Sequence, residues 1–290
     1  MRFVIPRANI VPVRFIALAA SFGMTFGVVR ADWRFEADTS AVYDSNLSNS
    51  ERESDIKDDW SWHSNVRVTN GFQLTRDLRL NLSADISGQV WRRYYDFTNI
   101  RPAGSLGLRY RFGLGRTAPW VMVEDDVGYG SFIDDDRSGL DNRFRVSAGV
   151  GLTDRLAFEA GYLFEHFDAR DPFWDWAGHT ALARLTFDLT SSFQVSVGYS
   201  YRSGEVISYA RPPRPDLVAI ASERDIVDTF GFPNYTAYKL HGITNSVSVS
   251  AAYTLKKYVS IVMSYEYRNT FHSSLEYEGH VFEAKLALGY

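Results

Sequence analysis

Apolar and polar residues alternate along most of the chain, in stretches separated by turn-forming residues. Residues 78–90 show the pattern best: every odd position is polar, and every even position except Gly88 is apolar. A period of two is typical of β-strands whose two faces meet different surroundings. The pattern predicts twelve strands, at about residues 33–43, 60–74, 78–90, 105–112, 120–132, 143–152, 156–164, 181–189, 193–202, 243–253, 259–267 and 282–290.

The connections between these strands alternate in length. The short ones lie at 75–77, 115–119, 153–155, 190–192 and 255–257, and the long polar ones at 44–59, 92–101, 133–141, 168–176, 203–241 and 269–275. Short turns at one rim and long loops at the other are typical of transmembrane β-barrels. With an even number of strands, both termini lie at the short-turn rim, which in such barrels is periplasmic.

The fold class predicted is all-β: a single closed antiparallel transmembrane β-barrel of about twelve strands. After the first 31 residues, no apolar run is long enough for a membrane helix. Lipid offers no hydrogen bonds, so a membrane sheet must close and leave no edge. The alternative is a soluble β-sandwich, but its strands are usually shorter and its outward face polar.

The N-terminal segment has the features of a secretory signal. Arg2, Arg7 and Arg14 precede an apolar stretch at 15–29, and Val29-Arg30-Ala31 places small residues at a cleavage site. We expect residues 1–31 to be removed and residues 32–290 to form one barrel domain with a long loop at 203–241. The alternative, a retained membrane anchor, is disfavoured because the apolar run is short.

Charge and composition exclude several classes of protein. Residues 1–31 hold four of the 31 basic residues and no acid, which leaves 27 basic and 35 acidic residues, a net charge of −8. This balance argues against a nucleic-acid partner. The chain has no Cys, so neither disulfides nor a lipoprotein anchor is possible. No cofactor is expected.

The end of the chain resembles the C-terminal targeting signal of bacterial outer-membrane barrels. Its matching residues are Phe282, Leu286, Leu288 and Tyr290. The resemblance is to the porin-like class and covers the mature chain. It implies assembly by the barrel-assembly machinery, location in the outer membrane of a Gram-negative bacterium, and contact with its lipid and lipopolysaccharide. The segment Tyr43-Asp44-Ser45-Asn46 is similar to a motif of barrels near exopolysaccharide export systems.

Charged residues on the polar strand faces are predicted to line the barrel interior. Their sign mostly alternates between neighbouring strands, which are close enough for such side chains to pair. Either they line a water-filled channel, or they form a salt-bridged network that fills the barrel; the first is favoured. Gly107, Gly149, Gly151, Gly161 and Gly198 either leave space inside or mark tight packing. The charged set is Asp85, Arg109, Arg111, Glu124, Asp126, Arg143, Arg145, Glu159, Glu165 and Arg184.

The function expected is a channel or porin that passes small polar solutes or a polysaccharide. The alternative is a non-channel barrel that serves as a binding or envelope-assembly scaffold. Porins for acidic oligosaccharides are a similar twelve-strand family lined by Arg. Here Arg and acidic residues nearly balance, so an acidic substrate is not expected.

Two segments carry particular expectations. Glu124, Asp125 and Asp126 are consecutive, so strict alternation would point an acid at lipid. We therefore expect a β-bulge or an inward fold of the strand there. The segment 203–241 holds a proline-rich stretch at 211–215 and an apolar run at 217–221. The apolar run points to a lid or plug, and a mobile surface loop stays open as the alternative.

Enzymatic and metal sites are not expected. His272 and Ser274 resemble the His-x-Ser pair of the outer-membrane phospholipase family, but residues 281–290 lack the Asn that this family carries on the following strand. The acidic loops at 51–59 and 134–141 match no dedicated metal loop, and the His residues have no metal-ligand spacing. These loops are expected to be solvated, or bridged to lipopolysaccharide by divalent cations.

Overall fold

The computed structural model describes residues 31–231, 235–273 and 275–289. Twelve long strands make up most of this part of the chain, and a helix and a short strand lie between the ninth and the tenth of them. The strands are β1 (Ala31–Asp44), β2 (Asp59–Gln73), β3 (Leu78–Trp91), β4 (Asn99–Arg111), β5 (Trp120–Phe132), β6 (Gly139–Gly151), β7 (Leu156–Ala169), β8 (Trp176–Asp188), β9 (Phe193–Ala210), β10 (Glu223–Val227), β11 (Tyr235–Lys256), β12 (Val259–His272) and β13 (Leu275–Gly289), and the helix is α1 (Pro215–Ile220).

The sheet closes on itself. Each long strand pairs antiparallel with the next, β9 pairs with β11, and β1 pairs with β13 over nine residue pairs. The short strand β10 pairs with β11 outside this ring of twelve. The predicted closed twelve-strand antiparallel barrel is therefore confirmed.

The register decides which residues face outward. Leu82 pairs with Leu106 and Phe144 with Phe164, so the apolar positions of neighbouring strands share the outer face, where many of them are exposed. Because the strands pair with a neighbour on both sides and the sheet has no open edge, this apolar surface can stand in lipid. No helix in the described ranges is long and apolar enough to cross a membrane. The outward belt includes Trp33, Trp62, Ile86, Leu106, Val127, Tyr162, Leu185, Val197, Val249, Met263 and Leu286.

Strand β5 runs through its three acidic residues without a bulge, so that expectation was wrong. Its register with β4 and with β6 is unbroken from residue 120 to 128. Glu124 and Asp126 face inward, and Asp125 is exposed on the outer face, where the Asn142 amide donates a hydrogen bond to it over 3.1 Å. A bulge would disturb the pairing with two neighbouring strands. A single hydrogen-bonded Asp on the lipid face costs less than an Arg or Lys there.

Removing this outward polar pair should stabilise the barrel. We expect Asp125→Leu combined with Asn142→Leu to raise the free energy of unfolding by about 1–2 kcal/mol, since an acid on the lipid face costs somewhat less than the roughly 2–4 kcal/mol of a basic residue. Urea unfolding in lipid vesicles measures the change. Asp77→Leu, in an exposed turn, is the control. Unchanged or lower stability of the double variant would mean that Asp125 does not face lipid.

The described residues of the C-terminal signal lie on the outer face of β13. Phe282, Leu286 and Leu288 are exposed there, and the Phe282 ring lies 4.9 Å from that of Tyr265, centroid to centroid. Tyr290 lies outside the described residues, as do residues 1–30 of the expected signal peptide. Cleavage and recognition by the assembly machinery stay predictions.

Several loops are shorter than the sequence indicated. Strand β9 continues to Ala210 and β11 begins at Tyr235, so both ends of the expected loop 203–241 are strand. Strand β4 already begins at Asn99. The expected long loop at 269–275 shrinks to a turn, since β12 ends at His272 and β13 begins at Leu275.

Candidate functional site

All ten charged residues predicted to line the interior lie on inward positions of their strands. Arg67 and Asp85 are register partners, as are Glu124 and Arg145, and as are Glu159 and Arg184, which places each pair on one face of the sheet. The outer positions between them hold the exposed apolar residues. The ten are Asp85 on β3, Arg109 and Arg111 on β4, Glu124 and Asp126 on β5, Arg143 and Arg145 on β6, Glu159 and Glu165 on β7, and Arg184 on β8.

The half of the lumen near the short turns is accessible to water. Arg109, Arg111, Arg145 and Arg184 point inward and are nevertheless exposed. The Arg109 guanidinium lies 4.4 Å from the ring centroid of Trp120, and such stacking leaves its donors free to meet solvent. A cavity of about 820 Å³ opens at this rim. It is lined by side chains that include Arg116, Asp188, Gln194, Thr254 and Ser260.

Nearer the loops, inward charges meet in a buried ionic cluster centred on Arg101. Its Nε lies 2.7 Å from Asp141 Oδ2, its Nη2 lies 3.1 Å from Asp141 Oδ1, and Nη2 also donates to Asp126. Asp141 in turn accepts from Arg143 over 2.9 Å. Arg143 lies 3.9 Å from Glu165. We call these five residues the Arg101 cluster.

The cluster gathers three of the ten predicted residues, Asp126, Arg143 and Glu165. Asp85 pairs elsewhere, with Arg67 over 3.1 Å. Sequence reasoning missed Arg101 and Asp141, the two most connected members. The predicted fourth strand began only at residue 105 and the loop before it was placed at 92–101, so Arg101 fell in a loop. The alternation could have found it, since Arg101 is an odd-numbered position and follows the same inward series as Ser105, Gly107 and Arg109.

Glycines on the inner wall make room for large side chains. A Cβ at Gly128 would come within 2.7 Å of Arg101 Cζ, and one at Gly149 within 2.5 Å of Trp120 Cζ2. Of the two alternatives for the inward glycines, tight packing therefore applies at Gly149, as it does at Gly151 against the Arg116 backbone. Only a glycine lets Arg101 lie flat against the wall and reach both carboxylates.

The wall opposite the charged one carries fewer charges. Strands β2–β8 carry the charges described above, whereas the inward positions of β9, β11 and β12 are mostly small hydroxyl residues. Arg202 on β9 and the ion-paired Glu266 and Arg268 on β12 also face inward, so this side is hydroxyl-rich but not neutral. The hydroxyl wall comprises Ser196, Ser200, Ser246, Ser248, Ser250, Ser260 and Ser264.

The loops converge over the opposite mouth. Residues 206–231 and 235–240, which we call the lid, contribute Tyr209, Phe230 and Tyr235 to a buried aromatic cluster. The Phe230 ring lies 4.7 Å from Tyr94 and 5.8 Å from Phe97, both in the β3–β4 loop. Six strands separate that loop from the lid in either direction round the barrel. The two can meet only across the mouth, so the lid covers it.

Arg137 fixes the lid at its centre. It is 5% exposed, and its guanidinium lies 3.8 Å from the Trp174 ring centroid and 4.7 Å from that of Phe97. It donates to Tyr209 Oη over 3.1 Å, to Thr229 Oγ1 over 3.0 Å and to Asp134 over 2.8 Å. Burial alone would lower the pKa of Arg137, but Tyr209 and Asp134 outweigh it and raise the pKa. Arg137 therefore stays charged and ties three loops together.

The β1–β2 loop holds a second side of the lid. The Tyr209 amide donates to Ser48 O over 2.9 Å, Ser208 Oγ to Asn49 O over 2.7 Å, and Asn49 Nδ2 to Ile207 O over 3.0 Å. Asn46 shapes this turn by accepting from the Ser50 amide over 3.0 Å. The motif at Tyr43–Asn46 thus leads directly into the turn that hydrogen-bonds to the lid.

Acidic pH should loosen the lid. Hydrogen bonds from Arg214 lower the pKa of Asp216. Burial would raise the pKa of Asp58, but the hydrogen bond and charge of Arg93 outweigh it and lower the pKa. A lowered carboxyl pKa stabilises the folded form above the unfolded-state value of about 4, and this contribution is lost as pH falls through the folded value. We expect the open fraction of the barrel to rise as the pH falls below about 4, measured by conductance. Asp216→Asn should reduce the dependence, and a flat profile in the unmodified protein would contradict it.

The other candidate sites do not assemble. His272 lies at the end of β12 rather than in a loop and contacts the His241 carbonyl oxygen; Ser274 lies outside the described residues, and β13 holds no Asn. Arginines engage the acidic loops: Asp55 pairs with Arg211 and Asp59 with Arg93. Within the described residues, no group of three or more His, Asp or Glu side chains is arranged to hold a metal ion.

A closed twelve-strand barrel with an apolar outer belt, a polar inner wall and long loops at one rim is the architecture of bacterial outer-membrane β-barrels of the porin-like class. The chain is similar in structure to the COG4313 outer membrane channel from Pseudomonas putida F1, with a TM-score of 0.60 and 9% identity over 91% of this chain and 97% of that one.

Two further solved structures resemble the chain. The NanC porin aligns with a TM-score of 0.48 and 10% identity over 87% of this chain and 98% of its own. The KdgM porin, solved in complex with disordered oligogalacturonate, aligns with a TM-score of 0.44 and 9% identity over 87% of this chain and 98% of its own. No known protein family matches the sequence, and no curated protein does.

Proposed function

We propose that this protein is an outer-membrane channel for small polar solutes, closed at its loop end by the lid. The observation that carries the proposal is the exposure of inward arginines, Arg109, Arg145 and Arg184 among them. A filled barrel would bury these side chains against partners. The short-turn rim, with both termini, is assigned to the periplasm by analogy with bacterial barrels.

Small solutes fit the geometry better than a polysaccharide chain. A polymer needs an unobstructed path, whereas here the Arg101 cluster occupies part of one wall and the lid crosses the mouth. The inner wall carries both basic and acidic side chains, many of them paired, so it would orient dipolar solutes without selecting strongly for either sign of charge. No catalytic role is assigned to the inner wall.

Liposome swelling tests the proposal. Vesicles containing refolded protein are diluted into isotonic glycine, arabinose or raffinose. We expect swelling with the two smaller solutes, faster after the lid is loosened by Arg137→Gln, and little with raffinose. The control is protein-free vesicles. No swelling with any solute, from correctly folded protein with or without the substitution, would rule out a channel.

The second candidate is a non-channel barrel that acts as a binding or assembly scaffold. The Arg101 cluster and the closed lid favour it, because both reduce the open cross-section. A scaffold should stay impermeable when the lid is loosened, so the same Arg137→Gln vesicles separate the two functions.

A further inference from the structure

A second cavity lies inside the barrel below the lid. Its volume is about 330 Å³, at the lower end of the range for ligand pockets. Strands β2–β8 all contribute to its lining, so it spans a wide arc of the inner wall rather than a gap between two strands. It lies on the path between the exposed arginines and the lid.

One side of this cavity is aromatic. Phe132, Phe167 and Trp176 line it from β5, β7 and β8. The rings of Phe167 and Trp176 stack at 6.1 Å with an interplanar angle of 11°, and Phe132 meets Phe167 edge-on at 6.2 Å. A Cβ at Gly130 would come within 3.3 Å of both phenyl rings, so glycine makes room for this pair at the wall. An aromatic face carries negative charge density and attracts the C–H groups of a saturated ring.

The other side carries uncharged hydrogen-bonding groups. His63, Gln89 and Asn99 line it from β2, β3 and β4. Gln89 donates its amide nitrogen to Ser61 over 3.2 Å, and Asn99 donates its own to Phe97 O over 3.0 Å. Each amide oxygen still offers acceptor lone pairs. Such groups suit vicinal hydroxyls.

The charges at the cavity are mutually compensated. Arg101, Asp141 and Arg143 line it, and all three are ion-paired within the Arg101 cluster. The cluster holds two guanidiniums and three carboxylates. The Arg202 guanidinium, 5.7 Å from the Trp176 ring centroid, offsets the cluster's residual negative charge, so the cavity has no strong preference for an ionic solute.

We propose that this cavity is a binding subsite for a neutral pyranose sugar. The apolar face of the sugar ring lies on the aromatic side, and its hydroxyls reach His63, Gln89 and Asn99. The inference rests on the proposed channel function, because the subsite would hold a solute in transit. It adds neutral sugars as the solute class of the proposed channel. Binding of the sugar at the subsite should be weak, so that the sugar can leave again.

Isothermal titration of the refolded mature protein in detergent micelles tests the subsite without requiring conduction. The probes are D-glucose and D-mannitol, which has similar hydroxyls but no rigid ring face. We expect glucose to bind with a Kd in the millimolar range and mannitol at least several-fold more weakly. Trp176→Leu should weaken glucose binding about two- to tenfold, the range expected for one lost aromatic contact.

Gln89→Leu, a second variant that leaves the aromatic side intact, should also weaken glucose binding. Trp120→Leu, on the inner wall outside the cavity, should not. Retained heat-modifiable gel mobility shows that each variant is folded. Equal binding of glucose and mannitol, tighter binding of glucuronate than of glucose, or no binding of glucose at all would overturn the subsite. Conductance measured on the same preparation shows separately whether the channel function holds.

Discussion

Replacing Arg137 with glutamine should shift the lid from closed to open, raising the ratio of open to closed barrels about 10- to 100-fold. Glutamine loses the ion pair with Asp134 and the stacking on Trp174 and Phe97. Hydrogen bonds of charged groups contribute about 1.5–3 kcal/mol, and a desolvated cation–π contact about 2 kcal/mol. Because about 1.4 kcal/mol corresponds to a factor of ten, even partial loss gives this shift.

The matched control for this substitution is Arg170→Gln. Arg170 forms an ion pair with Asp135 in the same loop assembly, but both side chains are more than half exposed. Exposed pairs contribute little, so open probability should barely change. Single-channel recording measures both variants in the same bilayers. Equal behaviour of the two would mean that Arg137 does not hold the lid, and a lower open probability in Arg137→Gln would reverse the assigned role.

The second large effect is expected at Arg101. Arg101→Gln leaves Asp126, at 9% exposure, without its cation, and leaves Asp141, at 5% exposure, with Arg143 alone. Removing one partner of a buried ion pair costs about 3–5 kcal/mol, because the remaining charge is neither solvated nor paired. We expect the free energy of unfolding to fall by about this amount, and ion selectivity to shift toward cations. Urea unfolding and reversal potentials in a salt gradient measure the two effects.

Arg145→Gln is the control, because it removes one inward positive charge that is not buried. Arg145 lies on the same strand as Arg143 and is exposed to the lumen. Its loss should shift selectivity toward cations and leave stability nearly unchanged. Replacing Arg101, Asp126 and Asp141 together by apolar residues should recover part of the stability, since no unpaired charge remains. Equal stability of Arg101→Gln and Arg145→Gln would show that the cluster is well hydrated and contributes nothing to folding.

The barrel could be predicted because its determinants are local and repeated. Inward and outward residues alternate without interruption from residue 78 to 87 in β3 and from 103 to 111 in β4. Residue type alone therefore predicts which face most of them occupy. Closure then follows from the lack of hydrogen bonds in lipid. The inward positions of Asp85, Arg109 and Glu159 came from the same rule.

Other features depend on context that a period of two does not carry. The start of β4 at Asn99, and with it Arg101, was placed in a loop. Strict alternation predicted that Asp125 faces outward, and it does. A bulge was expected instead, because an acid on the lipid face is unfavourable. In the lid, Tyr209 and Phe230 pack with Trp174 from the loop between β7 and β8. Such contacts follow from closure of the barrel and leave no periodic signal.

The most direct test of a lid-covered channel is single-channel recording after the part of the lid between its two strand ends is removed. Residues 211–234 are replaced by a short glycine–serine linker, which joins β9 to β11 across the Ala210–Thr236 pair that already closes this hairpin. The unmodified protein should give rare, small openings, and the variant long-lived ohmic steps of larger conductance. A folded, heat-modifiable variant that gives no steps would contradict a channel beneath the lid.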